Sequence, residues 1–262
     1  MSSSTTPVTT DVVSTFVDAW GYMTGQYPGH VHSSDAALAV TLSQTNCSFL
    51  NVISVDQPVP DAAVLETVLA KAAQARAQCP HDALLLVCPE WLPAGATDIL
   101  AANDLSFFMK MWGMSADRLL PPRRPAPALD FRLITDETAG LDLGIINAAA
   151  YGVPSETMAV TGTIAQWSGQ AYGIVGYEDG RAVTCTLSFV TDEMIYIAMV
   201  ATLPGLHGRG YAEAAMRRAI AEAQDAGGER RLWLHATEMG RPVYKAMGFA
   251  DGALLELYGF DA

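Results

Sequence analysis

Gly205, Gly208 and Gly210 fall within six positions of one another in LPGLHGRG, directly ahead of YAEAAMRRAI, which holds no helix breaker. The first turn of a helix carries unpaired N–H groups and the positive end of the peptide dipole. Glycines ahead of it let a ligand approach the backbone. Together these make an anion site, most naturally for phosphate; the same three glycines also suit an ordinary turn before a helix. His235 is a second residue whose type can move a proton. In RLWLHAT it alternates with Trp233 and Thr237 on one face of a strand, as a proton relay or as a buried, hydrogen-bonded histidine. Cys47, Cys79, Cys88 and Cys185 have no metal-ligand spacing and sit in or beside apolar segments. No metal is expected, and the thiols read as reduced in a cytoplasmic protein.

The elements that would position these residues are legible from periodicity. Ala212, Ala215, Met216, Ala219, Ile220 and Ala223 recur at helical spacing, which predicts a helix from about Gly208 to the stop at Gly227-Gly228. Around it the sequence predicts a strand over 129–134 and a helix capped by Thr135 that begins at Asp136-Glu137 and runs toward Ala150. A short helix from Pro154 follows, then a hairpin of 170–177 with 181–190 through EDG, and the strand EMIYIAMVAT. RLWLHAT as a strand, a short helix RPVYKAM and the strand GALLELYGF complete the order βααβββαβαβ.

Length and composition set the frame. The chain has 262 residues, half of them hydrophobic, enough for one large domain or two small ones. Its formal net charge of −13 is spread evenly, with 6 basic and 11 acidic groups in 1–128 and 9 and 17 in 129–262. No basic tract or basic–aromatic patch occurs, so neither nucleic acid nor an anionic membrane surface is an expected partner. The opening MSSSTTPVTT lacks the basic and apolar regions of a signal peptide, and no apolar run approaches the roughly 18 residues of a membrane span. Pro121, Pro122, Pro125 and Pro127 in LLPPRRPAPALD predict a stiff extended linker over 121–128, dividing a domain of residues 1–120 from one of 129–262.

The C-terminal order, with two motifs, resembles the GNAT superfamily of N-acetyltransferases over about residues 129–259. The family's cofactor loop reads Arg or Gln, two residues, Gly, one residue, Gly or Ala. Here it is HGRGYA, His207 to Ala212, with His207 at the Arg/Gln position. The family's fourth helix commonly reads Tyr, three residues, Gly-Phe, and here YKAMGF runs from Tyr244 to Phe249.

The resemblance implies acetyl-CoA as cosubstrate. Its pyrophosphate would lie on the backbone of Gly208, Arg209, Gly210, Tyr211 and Ala212, with Arg209 adding charge to a phosphate or remaining solvated. Val200, Ala201 and Thr202 would lie along the pantetheine arm. Thr237 stands where many relatives carry an Asn that touches the cofactor. Tyr244 takes the position of the usual proton donor, and a backbone N–H of the cofactor strand would hold the acyl oxygen. Many relatives carry an acid on the cofactor strand; Ala198 and Tyr196 stand here instead. Glu156 in YGVPSE falls in the region that lines the acceptor site, as a general base or as the acidic first turn of a helix, and His235 is the remaining candidate for proton transfer.

The N-terminal half predicts a helix over 9–25, paired strands ALAVTLS and SFLNVISV, and an amphipathic helix capped by Asp61. The strands DALLLVC and LSFFMKMWGM follow. The order resembles a degenerate copy of the same fold. The segment before its helix, VDQPVPD, has no glycine and two prolines, which remove amide donors a phosphate would need. The fold class expected is therefore α/β (α+β), two GNAT-like domains, each a mixed, mostly antiparallel sheet flanked by helices, the first non-catalytic. The expected activity is transfer of an acetyl group to the amine of a small acceptor by a monomer or homodimer. The alternatives are a longer acyl group, or a non-catalytic acyl-CoA-binding sensor.

Overall fold

The computed structural model describes residues 6–35, 37–163, 167 and 169–261; residues 1–5 of the opening segment fall outside them. In the first half the chain forms α1 (Thr9–Thr24), β1 (Val31–Ser34), β2 (Leu38–Leu42), β3 (Asn51–Val55), α2 (Ala62–Arg76), β4 (Leu84–Val87), α3 (Ala96–Ala102) and β5 (Leu105–Ala116). In the second half it forms β6 (Asp130–Leu133), α4 (Glu137–Tyr151), α5 (Ser155–Met158), β7 (Ala171–Glu178), β8 (Arg181–Val190) and β9 (Met194–Thr202). The chain ends with α6 (Tyr211–Gly227), β10 (Arg231–Ala236), α7 (Arg241–Met247) and β11 (Ala250–Phe260). Among the described residues no helix is long and apolar enough to cross a membrane.

Contacts divide the chain into two compact units. One comprises Thr6–Met114, His235–Arg241 and the stretch from Asp251 onward. Its strands run in the order β1-β2-β3-β4-β11-β5. Leu65, Val68, Leu69 and Ala72 of α2 pack with Leu42, Ile53, Leu85 and Leu100 in one core, each fully buried leucine contributing about 1.5–3 kcal/mol. Asp61 caps α2, its carboxylate accepting from the Val64 N–H at 2.9 Å. The VDQPVPD segment uses the amide between its prolines internally, Val59 N–H donating to the Trp91 carbonyl oxygen at 2.8 Å. β11 lies in this sheet although it follows the second half in sequence. Glu256 to Gly259 pair antiparallel with Val87 to Leu84.

The other unit holds Ser115–Leu234 and Pro242–Ala250, with strands in the order β10-β9-β8-β7-β6. β7, β8 and β9 form an antiparallel meander. The turn between β7 and β8 is Asp179-Gly180, both at positive φ (50° and 80°), the two-residue geometry that matches strand twist. α6 then crosses over so that β10 pairs parallel with β9, and Ala215 and Ala219 of its buried face pack on Ile174. Two boundaries differ from the sequence expectation. The α4 cap is Asp136, whose carboxylate accepts from the Ala139 N–H at 2.9 Å; it is Asp136, not Thr135, that has extended backbone and stands three residues before that amide. α6 begins at Tyr211 rather than near Gly208, because Gly208 and Gly210 have left-handed φ of 78° and 81°. β1 and α3 were not predicted: β1 is only VHSS and mostly exposed, and α3 is two turns long.

Candidate active site

The loop between β9 and α6 is folded back on itself. His207 Nε2–H donates to the Thr202 carbonyl oxygen at 3.1 Å, and Leu206 N–H to that of Leu203 at 3.1 Å. The Thr202 hydroxyl meets that of Thr184 at 2.9 Å on the neighbouring strand, which ties the loop's root to the sheet. Gly205, Gly208 and Gly210 all have left-handed φ, and a Cβ on Gly205 or Gly208 would meet nothing within 4 Å. The loop therefore presents bare backbone to open space. The first α6 hydrogen bond is Ala214 N–H to the Gly210 carbonyl oxygen at 3.1 Å, so Tyr211, Ala212 and Glu213 have no acceptor within the helix for their N–H groups. Arg209 faces Glu178 at 3.7 Å, and the Tyr211 hydroxyl donates to the same carboxylate.

The strand leading into the loop is interrupted. Cys185 pairs with Ala201 and Leu187 with Ala198, so Met199 and Val200 together oppose Thr186, a β-bulge. Met199 has φ of 51°, a left-handed conformation that persists only where the surroundings impose it. Here they do. Asn147 of α4, fully buried, donates from Nδ2 to the Leu143 carbonyl oxygen at 3.0 Å and toward that of Met199 at 3.4 Å. The buried Cys185 Sγ lies 3.6 Å from the same oxygen. Because the peptide is planar and trans, the Val200 N–H points to the opposite side from the tied Met199 carbonyl. The parallel ladder with β10 joins Met194–Tyr196 to Arg231–Trp233; beyond it Ala198, Met199 and Val200 are partly exposed, while Ala201 and Thr202 are buried.

Tyr244 lies on α7, buried, its ring edge-on to Phe249 at 6.2 Å between centroids. Burial pushes its phenol up and the neighbouring Tyr151 adds to this, so the hydroxyl keeps its proton through the neutral range. Tyr151 stands one turn after Asn147 on α4; desolvation of its phenol, and then Cys185, push it up as well. Glu156 is exposed in the first turn of α5, and its carboxylate accepts from the Ser155 hydroxyl at 3.5 Å. Among the described residues no group of His, Cys, Asp and Glu could hold a metal ion.

Residues 146–249 match the model of the acetyltransferase (GNAT) family. This segment is a GNAT acetyltransferase domain. No curated protein matches the sequence. Among solved structures, a GCN5-related N-acetyltransferase from Kribbella flavida shares 17% identity over 95% of this chain and 96% of its own, with a TM-score of 0.70. A functionally unknown conserved protein from Staphylococcus epidermidis shares 13% over 90% and 95%, at 0.65. A tandem GNAT protein from the clavulanic acid biosynthesis pathway shares 14% over 98% and 97%, at 0.51. Neighbours of this fold thus extend over the N-terminal half as well as the GNAT domain.

His235 and Thr237 fall in the other unit. His235 Nε2–H donates to the Val12 carbonyl oxygen at 3.1 Å, and its ring lies edge-on to Phe16. Desolvation lowers the imidazole from 6.5 to about 4. Thr237 stands in the turn ahead of α7: its carbonyl accepts from the Arg241 N–H at 3.0 Å, and its hydroxyl from the Gly240 N–H at 3.3 Å. The unfolded chain protonates His235 as pH falls through about 6.5, whereas the folded chain resists to about 4. Its contribution to stability is therefore complete above pH 6.5 and is lost progressively toward pH 4. Denaturant titrations at pH 7.5, 5.5 and 4.5 are expected to show this decline in the wild type and a shallower one in His235→Gln; parallel declines would assign it to other groups.

Sequence patterning does not single out Asn147 or Tyr151 in the GNAT domain. Asn147 is the one visible signal, an amide amid the apolar run LGIINAAAY. Asn147→Ala leaves the Met199 carbonyl without this donor and is expected to lower unfolding free energy by about 1–3 kcal/mol, measured in urea. Unchanged stability would mean that the bulge is held without it.

Proposed function

We propose that the chain is a cytoplasmic, acetyl-CoA-dependent N-acetyltransferase that acts on the amine of a small acceptor, with its chemistry in the GNAT domain. The observation that carries this reading is the bare-backbone loop at Gly205, Gly208 and Gly210 opening onto the unpaired N–H groups of α6, in the segment that matches the family. Gly208, Arg209, Gly210, Tyr211 and Ala212 would hold the pyrophosphate, with His207 bracing the loop through Thr202. Val200, Ala201 and Thr202 would line the pantetheine arm. Bound acetyl-CoA supplies an activated acetyl thioester.

The chain's own groups account for the rest. The Val200 N–H, oriented by the tied Met199 peptide, is the donor for a developing negative charge on the acyl oxygen. Tyr244, protonated because it is buried, supplies the proton that the departing thiolate needs. The acceptor amine must arrive neutral. Glu156 offers an exposed carboxylate for its proton.

A non-catalytic acyl-CoA sensor is the second reading, favoured by the apolar Ala198 and the buried Tyr196 where relatives carry an acid. Thiol release from acetyl-CoA over a panel of small amines separates the two. Amine-dependent release supports the transferase. Tight coenzyme binding with no release over any amine would support the sensor, and the same panel with longer acyl thioesters tests chain length.

A further inference from the structure

We propose that Arg124, from the Pro-rich segment ahead of the GNAT domain, is a phosphate-binding residue that sets the affinity of the coenzyme A site; this rests on the coenzyme reading above. The segment is tied down where it passes the loop. Leu120 N–H donates to the Met247 carbonyl oxygen at 2.8 Å, and the Leu120 carbonyl oxygen accepts from Arg217 Nη2 at 2.8 Å. Pro121, Pro122 and Pro125 stiffen the stretch that follows, so Arg124 is delivered with little backbone freedom left to lose. Its Nη1 donates to the Gly208 carbonyl oxygen at 2.8 Å. Its Cδ lies 3.2 Å from the place a Cβ on Gly210 would take. The guanidinium therefore rests on the glycine loop itself.

The charges around the loop point the same way. Arg209 faces Glu178 at 3.7 Å, and Arg217 faces Glu213 at 2.8 Å, so carboxylates already offset both. Arg124 uses one N–H on a neutral carbonyl, which leaves its charge and its other N–H groups for an anion. The family's loop pattern opens on Arg or Gln; here His207 stands there, turned inward to Thr202. From the segment ahead of β6, Arg124 supplies the cationic donor that the loop's own first position lacks. In a chain of net charge −13, a cation at the point of contact offsets the repulsion a polyanionic ligand meets on approach.

The test is calorimetry on the full chain with coenzyme A and with pantetheine, which carries no phosphate. Arg124 is exposed, and Arg124→Gln keeps a donor for the Gly208 carbonyl while removing the charge. The variant is expected to bind coenzyme A about 10- to 100-fold more weakly, with reduced salt dependence and unchanged pantetheine affinity. Equal affinity for coenzyme A in the two proteins would overturn the assignment and leave the coenzyme reading intact. Tighter binding by the variant would overturn it too, since the side chain would then be obstructing the loop. A wild type that binds no coenzyme A would remove the coenzyme reading and this assignment together.

Discussion

Tyr244→Phe is expected to lower turnover by roughly 10²–10⁴-fold, the range of general acid–base catalysis, while coenzyme A affinity changes far less. The substitution keeps the ring and its packing against Phe249 and deletes only the hydroxyl. On the proposed reading, affinity comes from the loop's backbone amides and Arg124, which the mutation does not touch. Burial keeps the phenol protonated, so a basic limb in the wild-type pH–rate profile near neutrality would belong to another group. Product release can mask a slowed chemical step in steady-state data, so single-turnover rates are the measurement to compare. Wild-type chemistry in the mutant would mean that the thiolate takes its proton from water, and Tyr244 would revert to packing.

Gly210→Asp is expected to weaken coenzyme A binding by about 100-fold or more while leaving the fold intact. Gly210 is the N-cap of α6 at φ of 81°, a conformation that Asp tolerates better than most residues. The new Cβ would meet only the Arg124 side chain, at 3.2 Å, and a flexible arginine can yield. An Asp at this position also suits a helix N-terminus. Its carboxylate would stand in for the phosphate, occupying the α6 amides and pairing with Arg124. Two like charges about 4 Å apart near a protein surface repel by about 4 kcal/mol, which covers the expected loss. Calorimetry gives the affinity and urea denaturation the stability; Gly210→Ala separates backbone strain from charge. Unchanged affinity in a folded Gly210→Asp protein would remove the phosphate-loop reading.

Much of the second half was readable because its elements are locally specified. The α6 face of Ala215, Met216, Ala219, Ile220 and Ala223 has helical spacing, and those side chains are buried. The EDG turn has a residue pattern that tight hairpins require, and Asp179-Gly180 adopts it. Errors fell where neighbouring residues compete for one role. Thr135 and Asp136 can both cap a helix, and only the geometry of the first turn selects Asp136. The glycines that open the loop also delay the helix, which periodicity alone does not register.

What the sequence determined by itself is what short stretches of chain dictate: the order of elements, the Gly205–Gly210 loop feeding a helix, and a tyrosine separated by three residues from Gly-Phe. These depend on residue type and spacing over one or two turns, where sterics and hydrogen-bond supply leave few choices. Only the tertiary structure decided which distant groups meet. Asn147 reaches the Met199 carbonyl across 52 residues, Arg124 the Gly208 carbonyl across 84, and His235 the Val12 carbonyl across 223. β11 likewise pairs with β4 far upstream. The reason is physical. An amide, a guanidinium or a strand edge can be satisfied by any backbone group of matching polarity, and the choice is made by the packing of the whole sheet, which no local pattern encodes.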